Sequence, residues 1–448
     1  MDFSELNLST QLLDALHEMG LQTPTPIQER AFSVIMAGSD VVGIAQTGTG
    51  KTLAFLLPVL RLWKFQKHRF PQTLIVVPTR ELVVQIVEEV EKLTTHMNVV
   101  VAGVYGGVNM RVHKAVVESG LDVLVGTPGR ILDLALHGPL KFKALKHLII
   151  DEVDEMLELG FRTQLNNIIT LLPEKRQNLL FSATMTPEVE AVIDKTFNFP
   201  TTIEAAATGT PLENITQLGY RVQNFNTKIN LLRHLLQDRE TYHRTLVFAP
   251  SKRLADVVFE QITADFPDEI SVIHGNKSQN YRFESLRKFQ ESEHRVLIAT
   301  DLVSRGLDLT EVSHVINIDT PDLPENYIHR IGRTGRADKT GTSITFTTEE
   351  ELPFLKAAEE LMQYRLEQLP FPEEVYVSEE LIVEEMPELR VANVQVKLDT
   401  TVPGAFHEKK KKNTKVKMTR RELTEHRNRS KVGRRKSWDP SKKKKRKR

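Results

Sequence analysis

Cysteine is absent from this 448-residue chain, and with it go disulfides, thiolate-bound zinc and thiol nucleophiles. Long apolar runs are missing too, since none approaches the roughly 18 residues a membrane helix needs. The start, MDFSELNLST, has neither the basic region nor the apolar core of a signal peptide. Fourteen histidines are scattered without HExxH or comparable spacing, so most of them read as solvated or core histidines and not as metal ligands. These absences lead to the expectation of a soluble, cytoplasmic protein in a reducing compartment.

What is present is unevenly spread. The formal net charge is only +1, yet residues 408–448 hold 21 Lys and Arg against four acids, leaving an acidic remainder. A block such as KKKKRKR cannot bury enough apolar surface to fold, so 408–448 is expected to be a disordered basic tail that attracts phosphates. A tail that serves only solubility is the plainer alternative. The stretch Glu373 to Glu388 is acidic and is a candidate cis partner for that tail.

Short Val/Ile/Leu runs alternate with helical patterns from residue 40 to 350. Strands are expected at 41–45, 73–77, 99–104, 123–125, 148–151 and 179–182. A second set is expected at 245–248, 271–273, 296–300, 315–317 and 343–346. Continuous apolar strands separated by helices mark parallel sheets covered on both faces, so the fold class is α/β with two consecutive domains. The loose segment AAATGTPLEN, 205–214, reads as the linker. From Pro353 a helix is expected to Leu369, followed by irregular acidic and then basic sequence.

VVGIAQTGTGKT, 41–52, is a strand, a glycine turn and a helix start. Gly48 and Gly50 let main-chain N–H groups curl around a polyphosphate at a helix N-terminus. Lys51 is placed to reach the β and γ phosphates and the Thr52 hydroxyl to ligate Mg²⁺. LIIDEVDEM, 148–156, runs an apolar strand into acids, which a parallel sheet can present beside that loop. Asp151 is then the metal carboxylate, and Glu152 the group that orients and deprotonates the attacking water. Acids also favour helix N-termini for electrostatic reasons, a simpler account of one or two of them.

Further stretches come in a fixed order. They are GLQTPTPIQ (20–28), PTRELVVQ (78–85), GG (106–107), TPGR (127–130), SAT (182–184), LVFAPSK (246–252), HGNKSQNYR (274–282), ATDLVSRGLD (299–308) and YIHRIGRTGR (327–336). In these the chain strongly resembles the DEAD-box family of ATP-dependent RNA helicases, from Phe3 to about Phe346. Val153, Ser304 and Pro250–Ser251 depart from the usual pattern without removing a functional group.

The resemblance implies two tandem RecA-like P-loop domains, 1–205 and 215–370, joined by 206–214. An acidic irregular extension, 371–407, and the basic tail follow. It implies that Ala45, Gln46, Thr47, Gly48, Thr49, Gly50, Lys51 and Thr52 cradle ATP, with Phe3 and Gln28 at the adenine and Asp308 at the ribose. Arg333 and Arg336, three apart, are expected to point together on a helical turn as arginine fingers. RNA would lie along Pro78, Thr79, Arg80, Gly106, Gly107, Thr127, Gly129, Arg130, Gln279, Arg282, Thr300 and Asp301. Asp154, Ser182, Thr184, His329 and Arg330 would couple the two sites, His329 and Arg330 by reaching back to 151–154.

The cradle and the arginines fall in different domains, so hydrolysis is expected to need both together, with ATP and RNA bound. RNA is the expected partner, bound without sequence preference, and ribosomal particles or RNA-decay proteins are further candidates. A monomer of bacterial origin is expected. Two rivals stay open at this point: a superfamily 2 DNA helicase, and a non-catalytic RNA-binding scaffold.

Overall fold

The computed structural model describes residues 2–45, 49–67, 70–204, 214–301, 312–335 and 340–386. Gln46, Thr47, Gly48, Asp308, Arg336, most of the expected linker and the basic tail lie outside the described residues.

Fourteen strands among the described residues form two seven-stranded, all-parallel sheets. The first holds β1 (Val41–Ile44), β2 (Thr73–Val76), β3 (Val101–Val104), β4 (Val123–Gly126), β5 (His147–Asp151), β6 (Gln177–Ser182) and β7 (Thr201–Glu204). The second holds β8 (Ile215–Arg221), β9 (Thr245–Phe248), β10 (Ile270–Ile273), β11 (Val296–Ala299), β12 (His314–Asn317), β13 (Gly341–Thr347) and β14 (Glu367–Gln368). Their spatial orders are β3-β4-β2-β5-β6-β1-β7 and β10-β11-β9-β12-β13-β8-β14. Adding seven to each label of the first sheet reproduces the second, so the two halves share one topology.

Both faces of the first sheet are apolar. One is covered by the cluster of Ile75, Ile149 and Phe181, the other by that of Leu74, Leu148 and Ile150. The second sheet is apolar on one face, around Val247, Ile316 and Phe346. Its other face mixes a small apolar patch with buried polar residues, Gln217, Asn317, Ser343 and Thr345.

Eleven strands follow the expected pattern, and β7, β8 and β14 are additions. The C-terminal helix is also corrected: it spans Leu352–Met362 and stops where Gln363 takes a left-handed conformation, φ 50°. The chain then adds β14 to the sheet edge beside β8, instead of continuing to Leu369 as helix.

The described part of the acidic extension lies along the helix Phe225–Leu235. Asn224, Asn226 and Asn230 donate through their side-chain amides to the carbonyls of Ser378, Glu380 and Tyr376, at 2.5, 2.9 and 2.9 Å. Glu385 accepts from Phe225 N at 2.7 Å, satisfying one of the free amides at that helix start. Glu384 pairs with Arg253. Two carboxylates of the acidic stretch are therefore already engaged by the second half.

Candidate active site and nucleic-acid interface

In a parallel sheet all strand C-termini share one edge, and ligands bind there. Apart from Phe3 and Gln28, which precede β1, the expected site residues that are described lie at these ends, or in the turns and helices that follow them. At the end of β1, Gly50 has φ 86°, a conformation that glycine adopts without the Cβ clash. A Cβ there would also collide with the Gln28 amide. Lys51 and the half-buried Thr52 then begin the helix Lys51–Leu62.

Gln28 braces this loop. Its Oε1 accepts from Thr25 N at 2.9 Å and its Nε2 donates to Gly50 O at 3.1 Å, while Thr25 Oγ1 donates to Thr49 O at 2.8 Å. One amide hydrogen and one lone pair of Gln28 remain beyond these bonds. Phe3 is buried in the same apolar cluster as Ile27 and Leu53.

The acids meet this lysine at the end of β5. Asp151 Oδ1 accepts from Glu152 N at 3.1 Å. Glu152 has φ 54° and ψ 50°, a left-handed backbone that costs a non-glycine residue about 1–3 kcal/mol and persists where the surroundings impose it. Lys51 Nζ stands 3.5 Å from Glu152 Oε1, both side chains nearly inaccessible. It makes no hydrogen bond to the described residues.

Burial pushes the Asp151 carboxyl up, with Lys51 opposing and Glu152 and Asp154 adding. Burial would do the same to Glu152. There Lys51, Arg333 and His329 outweigh it and hold the carboxyl below its ordinary range. Burial works against the Lys51 ammonium, but the facing acids, Glu152 first, keep it above its ordinary value. The cluster therefore carries an ammonium that faces Glu152 without a hydrogen-bond partner among the described residues, and a carboxylate held anionic.

Arg333 and His329 belong to the second half, so both halves act on Glu152. The helix Pro324–Ile331 carries His329, and Arg333 follows in the hydrogen-bonded turn that continues it, its N donating to Arg330 O at 3.1 Å; Arg336 lies outside the described residues. Arg333 is buried, with Nε 3.3 Å from its own turn's His329 O.

Arg330 requires a correction. Its guanidinium forks onto Asp301 at 2.6 and 2.7 Å and onto the Asp319 carboxylate at 3.2–3.3 Å, with Phe248 beneath. Its bonds hold the second half together instead of reaching 151–154, because adjacent helical positions face different ways. Asp301 is thereby committed to Arg330.

Asp154 connects strand ends within the first sheet. Its Oδ2 accepts from Ala183 N, Thr184 N and Thr184 Oγ1 at 3.1, 3.0 and 2.9 Å. Ser182 is fully buried, and its Oγ has no hydrogen-bond partner among the described residues. The same holds for Thr300 Oγ1.

A second cluster bridges the halves. Pro78 is buried, and Thr79 caps the helix Arg80–Leu93, accepting from Leu82 N at 3.3 Å. Arg80 Nη1 donates to Gln279 Oε1 at 3.2 Å, Gln279 Nε2 donates to Glu81 Oε1 at 3.2 Å, and Arg282 Nη1 lies 2.9 Å from Glu81 Oε1. Arg282 also bonds Gln279. Gly107, at φ 82°, lies against the Arg80 guanidinium, where a Cβ would clash; Gly106 is beside it.

Arg130 donates to Val108 O at 2.7 Å and to His113 Nδ1 at 2.9 Å. Burial and then Arg130 lower that histidine to about 4. Thr127 precedes the helix Pro128–His137, and the space beside Gly129 is open. The structure thus unites Arg80, Gly106, Gly107, Gln279 and Arg282, and ties Arg130 to the loop beside them. Two buried acids, Glu81 beside Arg282 and Asp319 beside Arg330, were not singled out in the sequence. Glu81 stood within PTREL, but its partner is 201 residues away in the chain.

Comparison with known proteins agrees with this arrangement. The DEAD/DEAH box helicase family model matches residues 25–192, and the helicase conserved C-terminal domain model residues 227–338. The DEAD-box ATP-dependent RNA helicase CshA of Geobacillus kaustophilus is 38% identical over 371 residues, 83% of this chain and 78% of that protein. The ATP-dependent RNA helicase CshA of Listeria monocytogenes is 39% identical, over 83% and 70%. Among solved structures, S. cerevisiae Dbp5 bound to RNA and ADP BeF3 is similar at TM-score 0.76 and 30% identity, over 82% of this chain and 95% of that one. The two halves are tandem RecA-like domains, and the chain belongs to the DEAD-box family of ATP-dependent RNA helicases.

Proposed function

We propose that this chain couples ATP binding and hydrolysis to clamping of single-stranded RNA across both halves. Local, non-processive opening of RNA duplexes or remodelling of RNA–protein complexes follows from that clamp. The observation that carries the reading is the convergence of Lys51 from one half with His329 and Arg333 from the other on the buried Glu152.

In this reading Lys51, without a hydrogen-bond partner among the described residues, receives the β and γ phosphates within the Ala45–Thr52 loop. Glu152, held anionic, orients the attacking water and takes its proton. Arg333, with Arg336 beyond the described residues, neutralises the charge that develops on the transferred phosphoryl group. Asp154, which accepts from Ala183 and Thr184, ties the nucleotide site to the end of β6.

Mg²⁺ fits the site because Asp151 is a buried carboxyl pushed up by burial and by Glu152 and Asp154, with Lys51 offsetting this only in part, and a cation beside it would relieve the remainder. Asp151 and Thr52 would hold the ion, which supplies charge neutralisation at the phosphates.

RNA phosphates and 2′-hydroxyls would run past Arg80, Gly106, Gly107, Gly129, Arg282 and Thr300. Gln28 and Phe3 serve the adenine end, Gln28 by way of its remaining hydrogen and lone pair, and Asp308 the ribose. The chain acts as a cytoplasmic bacterial monomer on structured RNA, with ribosomal particles and RNA-decay assemblies as candidate settings.

Steady-state ATP hydrolysis with and without single-stranded RNA tests this. RNA should stimulate the wild type and single-stranded DNA should not, and Glu152→Gln should lower the stimulated rate by about 10²–10⁴-fold. Equal stimulation by DNA, or full activity in Glu152→Gln, would remove the reading.

A further inference from the structure

His329 and Arg333 act on Glu152 only if the helix Pro324–Ile331 stands at the right height on its sheet. What fixes that height can be read from its inward face. Tyr327 and Ile331 point into a small apolar cluster with Ile215, Leu355, Ala358 and Met362. Beyond the Tyr327 ring, however, the sheet beneath is polar.

Period-two alternation in β8, β12 and β13 sends Gln217, Asn317, Ser343 and Thr345 to this face, while Leu218, Ile316, Ile344 and Phe346 go to the other. Gln217, Asn317, Thr345 and Tyr327 are each at most 1% exposed. Such a layer is held by directional bonds, and a directional bond specifies position more sharply than apolar contact does.

The Tyr327 hydroxyl reaches into that layer. It lies 3.4 Å from Gln217 Oε1, to which it donates, and 3.3 Å from Thr345 Oγ1, which in turn accepts from Asn317 Nδ2 at 3.1 Å. Gln217 Nε2 and Asn317 Oδ1 have no hydrogen-bond partner among the described residues. The layer is therefore incompletely satisfied, and a helix resting on it without its anchor could re-pair by sliding. The anchor stands two residues before His329 and six before Arg333.

We propose that Tyr327 is a positioning residue for ATP hydrolysis. Its hydroxyl, bonded to Gln217 and Thr345, sets the axial position of the helix that delivers His329 and Arg333 to Glu152. It touches neither nucleotide nor RNA and acts only through those two side chains. Displacement of a catalytic group by about 1 Å can lower a rate by about 10²-fold, so a buried hydroxyl outside the site can control turnover.

The proposal rests on the hydrolysis reading above and is tested in the full chain with Tyr327→Phe, Thr345→Val and the double variant. Measured are RNA-stimulated kcat, KM for ATP, and thermal unfolding. Tyr327→Phe keeps the ring and should lower kcat by about tenfold, leave KM within about twofold, and shift Tm by no more than about 4 °C. Thr345→Val should do the same, and the double variant should be no worse than either single one, because both remove one linkage.

An unchanged kcat, a loss matched by the fraction unfolded, a parallel rise in KM, or additive losses would each overturn it. Should Tyr327→Phe fail to fold, Thr345→Val alone gives the same decision. RNA stimulation of the wild type and its loss in Glu152→Gln are read in the same assay, so failure of the broader reading is seen separately.

Discussion

The two sheets have one strand order and opposite chemistry. After β1 the first half places Gly50, with a left-handed backbone, and Lys51 at the start of the helix Lys51–Leu62. After β8, the matching strand, the second half places Asn224, whose Oδ1 accepts from Thr227 N at 2.9 Å and whose amide holds the extension at Ser378. At the middle of the first sheet buried acids gather around one lysine; in the second a buried arginine, Arg330, gathers Asp301 and Asp319. Topology supplies equivalent edges, and the side chains at those edges divide the labour. In the proposed reading one half binds the phosphates and the other completes the charge balance.

The comparison can be broken at equivalent positions. Lys51→Ala should lower RNA-stimulated hydrolysis by at least about 10³-fold, since the buried acids lose their facing cation and the phosphates their ammonium. Asn224→Ala, at the matching place, should leave kcat per folded molecule unchanged and lower stability by about 0.5–2 kcal/mol through the lost helix cap. Comparable activity losses in both would mean that the second edge is not structural in this respect.

The bridge between the halves is the next largest effect. Arg282→Ala leaves Glu81 buried without its charge partner, a change that costs about 3–5 kcal/mol where both groups are fully desolvated. Part of that cost should appear as an at least tenfold fall in RNA-stimulated hydrolysis, with basal ATP binding retained. Unaltered stimulation would show that the bridge does not join the halves in the active arrangement.

Burial, and then Lys146, lower His147, at the base of β5, to about 4. Its folded value lies below the ordinary 6.5, so the unfolded chain binds the extra proton. The stability it contributes is complete above pH 6.5 and is lost as pH falls towards 4. The total is up to about 3 kcal/mol. His147→Gln should flatten the fall of denaturation midpoint between those pH values; an unchanged slope would refute the assignment.

Val153 is wholly buried among Leu148, Ile150 and Met156. Val153→Ala should cost about 1–2 kcal/mol of stability while hydrolysis stays within a few-fold, because the methyl groups pack and do not react. A loss of activity like that of Glu152→Gln would misplace this residue.

Legibility in the sequence followed the same division. Strands with continuous apolar runs, such as LIID, were visible because both faces are buried. β7 was hidden because three of its four residues are exposed, and β8 because its inward Gln217 sits in a polar layer that imitates a solvated face. Lys51, Asp151, Glu152 and Asp154 were legible because local strand-to-helix turns position them. The pairing of Glu81 with Arg282 was not, since only folding brings residues that distant together. Arg330 was misread for a related reason. Its neighbours Asp301 and Asp319 come from other strand ends, and no spacing within HRIGR announces them.

The claim that one active site is built from both halves is tested most directly by single-turnover hydrolysis in Arg333→Ala at saturating ATP, with and without single-stranded RNA. The account predicts that ATP still binds and that RNA no longer accelerates the chemical step, a loss of about 10³–10⁵-fold. RNA acceleration that survives in Arg333→Ala would contradict it.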